Sequence, residues 1–191
     1  MVSAETSGTR RDMLSAVAPV HRLSIEDVRR MYETGILDEH DRLELLDGVL
    51  VEMSPSGPEH SGAVAWLTQH LSRPDRQWHV RVQDTLVIEG GFLLPDLTVI
   101  AEQPSRTRLV ETAMLAVEVA QTSQQRDAEK AQSYARAGVR EYWIVDLVAR
   151  LVIVHGEPLD DHYRVIDRYS DGALLAVPVD VPAIDVSALL G

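Results

Sequence analysis

The chain of 191 residues has no cysteine, which excludes disulfides, thiolate catalysis and zinc sites with sulfur ligands. Chemistry is left to carboxylates, imidazoles and hydroxyls, and any metal would be held mainly by oxygen. Lysine is almost as scarce. All but one of the 18 basic residues are arginine, the exception being Lys130. A chain that can supply positive charge through arginine has no general need of lysine, and a compact ammonium whose pKa responds to burial is not interchangeable with a guanidinium. Lys130 is therefore a candidate for a specific duty. Basic charge as a whole is also short: the formal net charge is -12 at pH 7, the reverse of the surplus by which nucleic-acid-binding domains attract a polyanion in bulk. A local basic groove is not excluded. No apolar run approaches the ~20 residues of a membrane-spanning helix, and the N-terminal stretch lacks the charged-then-apolar order of a secretory signal. The expectation is a cytoplasmic protein without a membrane segment. At 45% hydrophobic residues the chain can bury a core without staples, which rules out a disordered or fibrous protein.

Residues 1–20 show no clear period and end near Pro19, so they are expected to form a mobile arm before a single domain over 21–191. Ser24 followed by Glu26 and Asp27 predicts a helix N-cap, with Val28, Met31 and Tyr32 as the apolar stripe and Gly35 as the stop. Alternation from Leu43 to Met53 around Asp47-Gly48 predicts a hairpin with Glu44 on its first strand. Pro58 opens a helix through Ala63, Val64, Leu67 and Leu71, with Pro74 beyond it. Trp78 to Val82, Thr85 to Ile88 and Leu97 to Ala101 read as a meander, with Gly90-Gly91 as a turn. Leu115 to Ala120 is a strand, Ser123 a cap for a helix to Ala137, and Gly138 its stop. Glu141 to Val145 and Leu151 to Val154 are strands, Tyr163 to Arg168 and Leu174 to Val177 a hairpin around Asp171-Gly172, and Ile184 to Leu190 a terminal turn or helix. This order predicts an α/β protein with a mixed central sheet flanked by helices.

One strand carries the candidate chemistry. In Leu115 to Ala120 side chains alternate faces, so Glu118 shares its face with the small Ala116 and Ala120 while Leu115, Val117 and Val119 line the other. A carboxylate buried in a central strand is costly unless it is paired or binds a cation. Asp96, opening another strand after Pro95, can share a hard divalent cation with it. On the following helix Asp127, Lys130 and Tyr134 fall on one face. An acid pair with a lysine is minimal equipment for metal-assisted phosphodiester hydrolysis.

These residues resemble a known family. Pro95-Asp96, Glu118-Val119, Lys130 with Tyr134, Ala137-Gly138-Val139, Glu141-Tyr142-Trp143 and Val145-Asp146 are similar to the Uma2 family of restriction-endonuclease-like proteins. So are Arg42-Leu43-Glu44-Leu45, Asp47-Gly48 and Met53-Ser54-Pro55 with His60, so that the resemblance covers roughly residues 21 to 155. It implies a PD-(D/E)XK nuclease core, with Asp96, Glu118 and Val119 at a Mg2+ site that Mn2+ can substitute, Glu44 as an additional acid, and Lys130 as the catalytic lysine. The superfamily's usual lysine position, two residues after the glutamate, is Ala120 here, so that role moves to the helix. Gln121 and the three-residue step from Asp127 to Lys130 also depart from the family pattern.

The preferred reading is thus a magnesium-dependent endonuclease acting on DNA, and the alternative a nuclease fold that binds nucleic acid or a protein partner without cutting. Hydrolysis of another phosphorylated substrate is a third possibility. Plainer roles stand beside the chemical ones: an arginine partner for Glu118, a turn cap for Asp96, a solvated face for Lys130 and Glu44. His60, at a helix start, reads as a surface or capping residue in preference to a site residue. Trp66, Trp78 and Trp143 are isolated and read as core. Arg73, Arg76 and Arg81 suit a phosphate-facing patch or a solvated surface equally. Cutting a duplex calls for two active sites, so a homodimer is expected; the unalternating apolar run Leu151 to Val154 and the C-terminal apolar residues Ile184, Val186, Leu189 and Leu190 are its candidate surface.

Overall fold

A computed structural model of the protein describes residues 20–38, 40–53, 56–72, 77–101, 105, 107–121 and 124–191, excepting the side chains of 124–126. All but the last residue of the expected arm, together with Ser54, Pro55, Arg73, Pro74, Arg76 and the predicted cap Ser123, lie outside them. The first helix, α1 (Ile25–Glu33), opens on a capping box: Ser24 Oγ accepts from Asp27 N at 3.1 Å and Asp27 Oδ2 accepts from Ser24 N at 2.9 Å. Strands β1 (Leu43–Leu46) and β2 (Val49–Glu52) form the predicted hairpin. Its two turn residues both have positive φ, 44° at Asp47 and 75° at Gly48, the conformation for which Asp-Gly is suited. Helix α2 (Pro58–Leu71) starts on proline and buries one stripe: His60, Ala63, Val64, Leu67 and Leu71.

The expected meander does not form. Strand β3 (His79–Val82) pairs antiparallel with β6 (Leu97–Ile100), whereas β4 (Leu86–Ile88) pairs with β5 (Gly91–Leu93), which in turn joins β1. The cause lies at Gly91, read from the sequence as a turn and found in a strand. A Cβ there would stand 1.8 Å from the Leu45 carbonyl oxygen, so only glycine lets β5 close on β1. Gly91→Ala should therefore cost about 3 kcal/mol or more through forced separation of the strands. An unchanged urea midpoint would refute that close approach.

The result is a four-stranded antiparallel sheet, β2-β1-β5-β4, beside a six-stranded one in the order β10-β9-β8-β7-β6-β3. In the larger sheet β7 (Leu115–Ala120) and β8 (Glu141–Asp146) are parallel, linked through helix α3 (Gln124–Arg136), and the other pairs are antiparallel. Gly138 follows α3 with φ 69°, as its reading as a stop requires. Strand β9 (Leu151–Leu159) continues well past Val154 and pairs with β10 (His162–Ser170), so the hairpin turns at Asp160-Asp161 and not at Asp171-Gly172. Gly156, the positive φ of Glu157 and Pro158 interrupt the alternation that would have revealed its length. Short strands β11 (Leu174–Leu175) and β12 (Ile184–Asp185) pair with each other and lead into helix α4 (Val186–Leu190).

Both faces of the large sheet are covered. Leu115, Val117, Val119, Trp143, Val145, Val152 and Val154 pack with α2 on one side, and Ala116, Ala120, Tyr142 and Ile144 pack with Tyr134 of α3 on the other. Trp143 is fully buried, and Trp66 and Trp78 pack against the first cluster, so the tryptophans serve the core. Ile184, Val186 and Leu189 are buried in that same cluster. The apolar segments expected to meet a second subunit are thus consumed by the chain's own sheet. No helix among the described residues is long and apolar enough to cross a membrane.

Candidate active site

Glu118 lies on the face of β7 that carries Ala116 and Ala120, and the small neighbours let α3 approach. From α3, spacings of three and four bring Asp127, Lys130 and Tyr134 to that face. Lys130 Nζ lies 2.9 Å from Glu118 Oε1, 2.9 and 2.8 Å from the two carboxylate oxygens of Glu44, and 3.8 Å from Asp127 Oδ1. Tyr134 OH donates to the same Glu118 Oε1 at 2.8 Å. Glu44 arrives from the small sheet, where Leu94 N also donates to its Oε1 at 3.1 Å. The close seating of β5 on β1 at Gly91 helps fix that strand.

Asp96 stands one step beyond the Leu97–Val117 pair of β6 and β7, which sets it across from Glu118. Its Oδ2 accepts from Val119 N at 2.9 Å and lies 2.9 Å from His60 Nε2. His60 is buried in the first turn of α2, so its reading as a surface or capping residue is corrected: it belongs to the site. A groove of about 590 Å3 reaches the site at His60 and runs along α2 past Ser61, Val64, Thr68, Val82 and Gln83. Of the three arginines considered as a patch, only Arg81 is described, and it pairs with Asp84.

None of Glu44, Asp96, Glu118, Asp127 and Lys130 exposes more than 4% of its surface. Three buried carboxylates, Glu44, Glu118 and Asp127, therefore gather around one ammonium, with the buried Asp96 beside Glu118, an excess of negative charge that burial makes costly. The strain appears at Glu118: burial, opposed by Lys130 and reinforced by Glu44, Asp96 and Asp127, pushes its carboxyl up to about 8. Burial pulls the Lys130 ammonium down, but Glu118 and Glu44 outweigh it and hold its pKa above the ordinary lysine value. Tyr134 is pushed well above the ordinary phenol value by burial and by Glu118, so it stays a neutral donor.

This constellation on a mixed sheet has counterparts. The family model described as "Uma2: Putative restriction endonuclease" matches residues 25–188. The chain belongs to the Uma2 family. A crystal structure titled as a "putative nuclease belonging to DUF820" from Anabaena variabilis ATCC 29413 superposes with a TM-score of 0.68 at 16% identity, over 83% of this chain and 97% of that one. The two share the restriction-endonuclease-like fold. No curated protein matches the chain.

In this Uma2 protein the donor set suits a hard cation. Glu118 Oε1 and Asp96 Oδ2 each take two partners, while Glu118 Oε2 and Asp96 Oδ1 accept no hydrogen bond among the described residues. Glu44 Oε2 is buried, and although Nζ is 2.8 Å away, no hydrogen bond is directed at it. Among the described residues no three His, Asp or Glu side chains form a metal cage. Two open carboxylate oxygens are what magnesium commonly takes from a protein, the remaining positions going to water and phosphate. Val119 meets this site through its backbone N–H on Asp96.

Two contacts of the site have no signal in the sequence spacing, the Tyr134 hydroxyl on Glu118 and His60 on Asp96. Tyr142 backs them, stacked on Tyr134 at 4.3 Å and donating its hydroxyl to the Asp127 carbonyl at 2.8 Å.

Proposed function

We propose that this protein is a divalent-metal-dependent endonuclease that hydrolyses phosphodiester bonds in DNA, in the cytoplasm. Asp96 and Glu118 would hold Mg2+, with Mn2+ as a substitute. The observation that carries the reading is the pair of carboxylates facing each other at β7 and at the entry to β6, each with one oxygen taking two partners and the other accepting no hydrogen bond among the described residues, in a cluster whose acids outnumber its only ammonium. A bound divalent cation supplies electrostatic stabilisation for the charge that gathers on the phosphate oxygens during displacement. Lys130, kept protonated by its carboxylates, works as a fixed positive charge and not as a base that takes a proton from water. Glu44 orients it. The groove beside His60 is the side from which a phosphodiester would reach Asp96, and among the described residues none that lines it is acidic. Cleavage of both strands of a duplex would call on a homodimer, and its interface would have to use surface other than the C-terminal residues Ile184, Val186 and Leu189, which the chain's own core buries.

The second reading, a nuclease fold that binds a partner without cutting, has the net charge of -12 in its favour. Plasmid, duplex and single-stranded DNA and RNA, incubated with protein in millimolar Mg2+ or Mn2+, separate the two. Nicking of DNA that needs the metal, stops with chelator and vanishes in Asp96→Asn and Glu118→Gln is the expected result. Cleavage persisting in both variants would refute the site, and binding without cleavage would favour the second reading. Light scattering tests the dimer, which a mass of 21.2 kDa across dilution would refute.

A further inference from the structure

We infer that His60 and Tyr134 are positioning residues that preset the two carboxylates, so that Asp96 ligates a cation through Oδ1 alone and Glu118 through Oε2 alone. The inference rests on the metal-site reading above and goes beyond it by assigning work to two residues outside the acid and lysine set. Its basis is a repeated arrangement. On Asp96, one oxygen takes both the His60 Nε2 contact and the Val119 N–H, each at 2.9 Å. On Glu118, one oxygen takes both the Lys130 ammonium at 2.9 Å and the Tyr134 hydroxyl at 2.8 Å. Two donors converging on a single oxygen fix the rotation of a carboxylate and turn its other oxygen outward, while leaving that oxygen without a competitor. Each pair combines one donor that the fold supplies regardless of sequence detail, or a charge needed elsewhere, with one side chain whose polar atom has no other partner among the described residues.

Both positioning side chains are themselves held. Tyr134 is fully buried and stacks on Tyr142, which is anchored to the backbone of α3. His60 sits in the buried stripe of α2, one turn from Val64. A ligand oriented by supports this rigid meets a cation without reorganising, and removal of such supports commonly weakens metal binding by about 10–100-fold.

Mn2+ titration of the full chain, read by loss of the free-ion electron paramagnetic resonance signal, tests the assignment. Tyr134→Phe keeps the stacked ring and should weaken binding about tenfold or more. His60→Ala should do the same, and His60→Gln, whose amide can place a donor near the Nε2 position, should recover most of the loss. Thermal melts without metal confirm that each variant is folded at the titration temperature. Equal affinity in wild type and both Tyr134→Phe and His60→Ala would overturn the positioning role while leaving the metal site standing. A wild type that binds no Mn2+, or that binds it equally after Asp96→Asn and Glu118→Gln, would overturn the metal-site reading and this inference together.

Discussion

Lys130→Met is expected to destabilise the fold by about 3–5 kcal/mol, the usual cost of removing one partner from a buried ion pair. Methionine fills much of the same space, so the loss comes from charge: Glu44 and Asp127, and Glu118 wherever it is ionised, would be left buried with no ammonium among them. Three features distinguish this from ordinary core damage. Destabilisation should shrink as the pH falls, because the abandoned carboxylates can take up protons. Adding Glu44→Gln should recover part of it, since one acid fewer needs compensation. Lys130→Arg should not substitute, as a planar fork with five donors does not fit a socket shaped by three carboxylates around one nitrogen. Urea unfolding near neutral pH and at pH 5 checks all three. A Lys130→Met midpoint within about 0.5 kcal/mol of wild type would mean that the ammonium is a spectator in the folded state. Cleavage by the variant should be lost even where it remains folded, because the fixed positive charge is gone.

How much of this site was legible in the sequence depends on the range of the signal. The face on which Glu118 lies follows from the two-residue period of a strand, and the grouping of Asp127, Lys130 and Tyr134 from the period of a helix; the structure keeps both. The scarcity of lysine singled out Lys130 before any geometry was known. His60 was misread, although the signal existed: with Val64, Leu67 and Leu71 it falls on the stripe that α2 buries, and a polar residue in an apolar stripe needs a partner. What no local pattern carried is that the partner is Asp96, 36 residues away. The division into two sheets was hidden for a related reason. Gly91 looks like half of a Gly-Gly turn until the Leu45 carbonyl is known to approach it from another strand. Long-range contacts decided both cases. The apolar C-terminal segments posed the opposite difficulty: their hydrophobicity was read correctly, but hydrophobicity does not say whether a surface meets its own sheet or a second copy, and here it meets its own.

Without metal, the protein is expected to lose stability as the pH rises from about 5 to about 8, the reverse of what a salt-bridged surface carboxylate does. Glu118 is the source. Its carboxyl stands at about 8 in the folded chain against 4.5 for the unperturbed group, chiefly because burial disfavours the charged form. Between those two values the folded state holds a proton that the unfolded state releases, so the stability slope with pH is negative in that window. The contribution is fully present below 4.5 and is lost as the pH climbs through about 8. Its ceiling is on the order of 5 kcal/mol, and the attraction of Lys130 for the ionised form works within that figure. Glu118→Gln keeps the shape and an acceptor for Tyr134 while removing the titration, so subtracting its pH–stability profile from that of the wild type isolates the effect from every other carboxylate. A divalent cation should act in the opposite sense, binding the ionised carboxylate, releasing its proton and stabilising the wild type more at pH 8 than at pH 6. Melting series from pH 5 to 9, with and without millimolar Mn2+, read both limbs. Parallel profiles for wild type and Glu118→Gln without metal would show that Glu118 is ionised throughout, and a metal-induced shift independent of pH would show that the cation binds without displacing its proton.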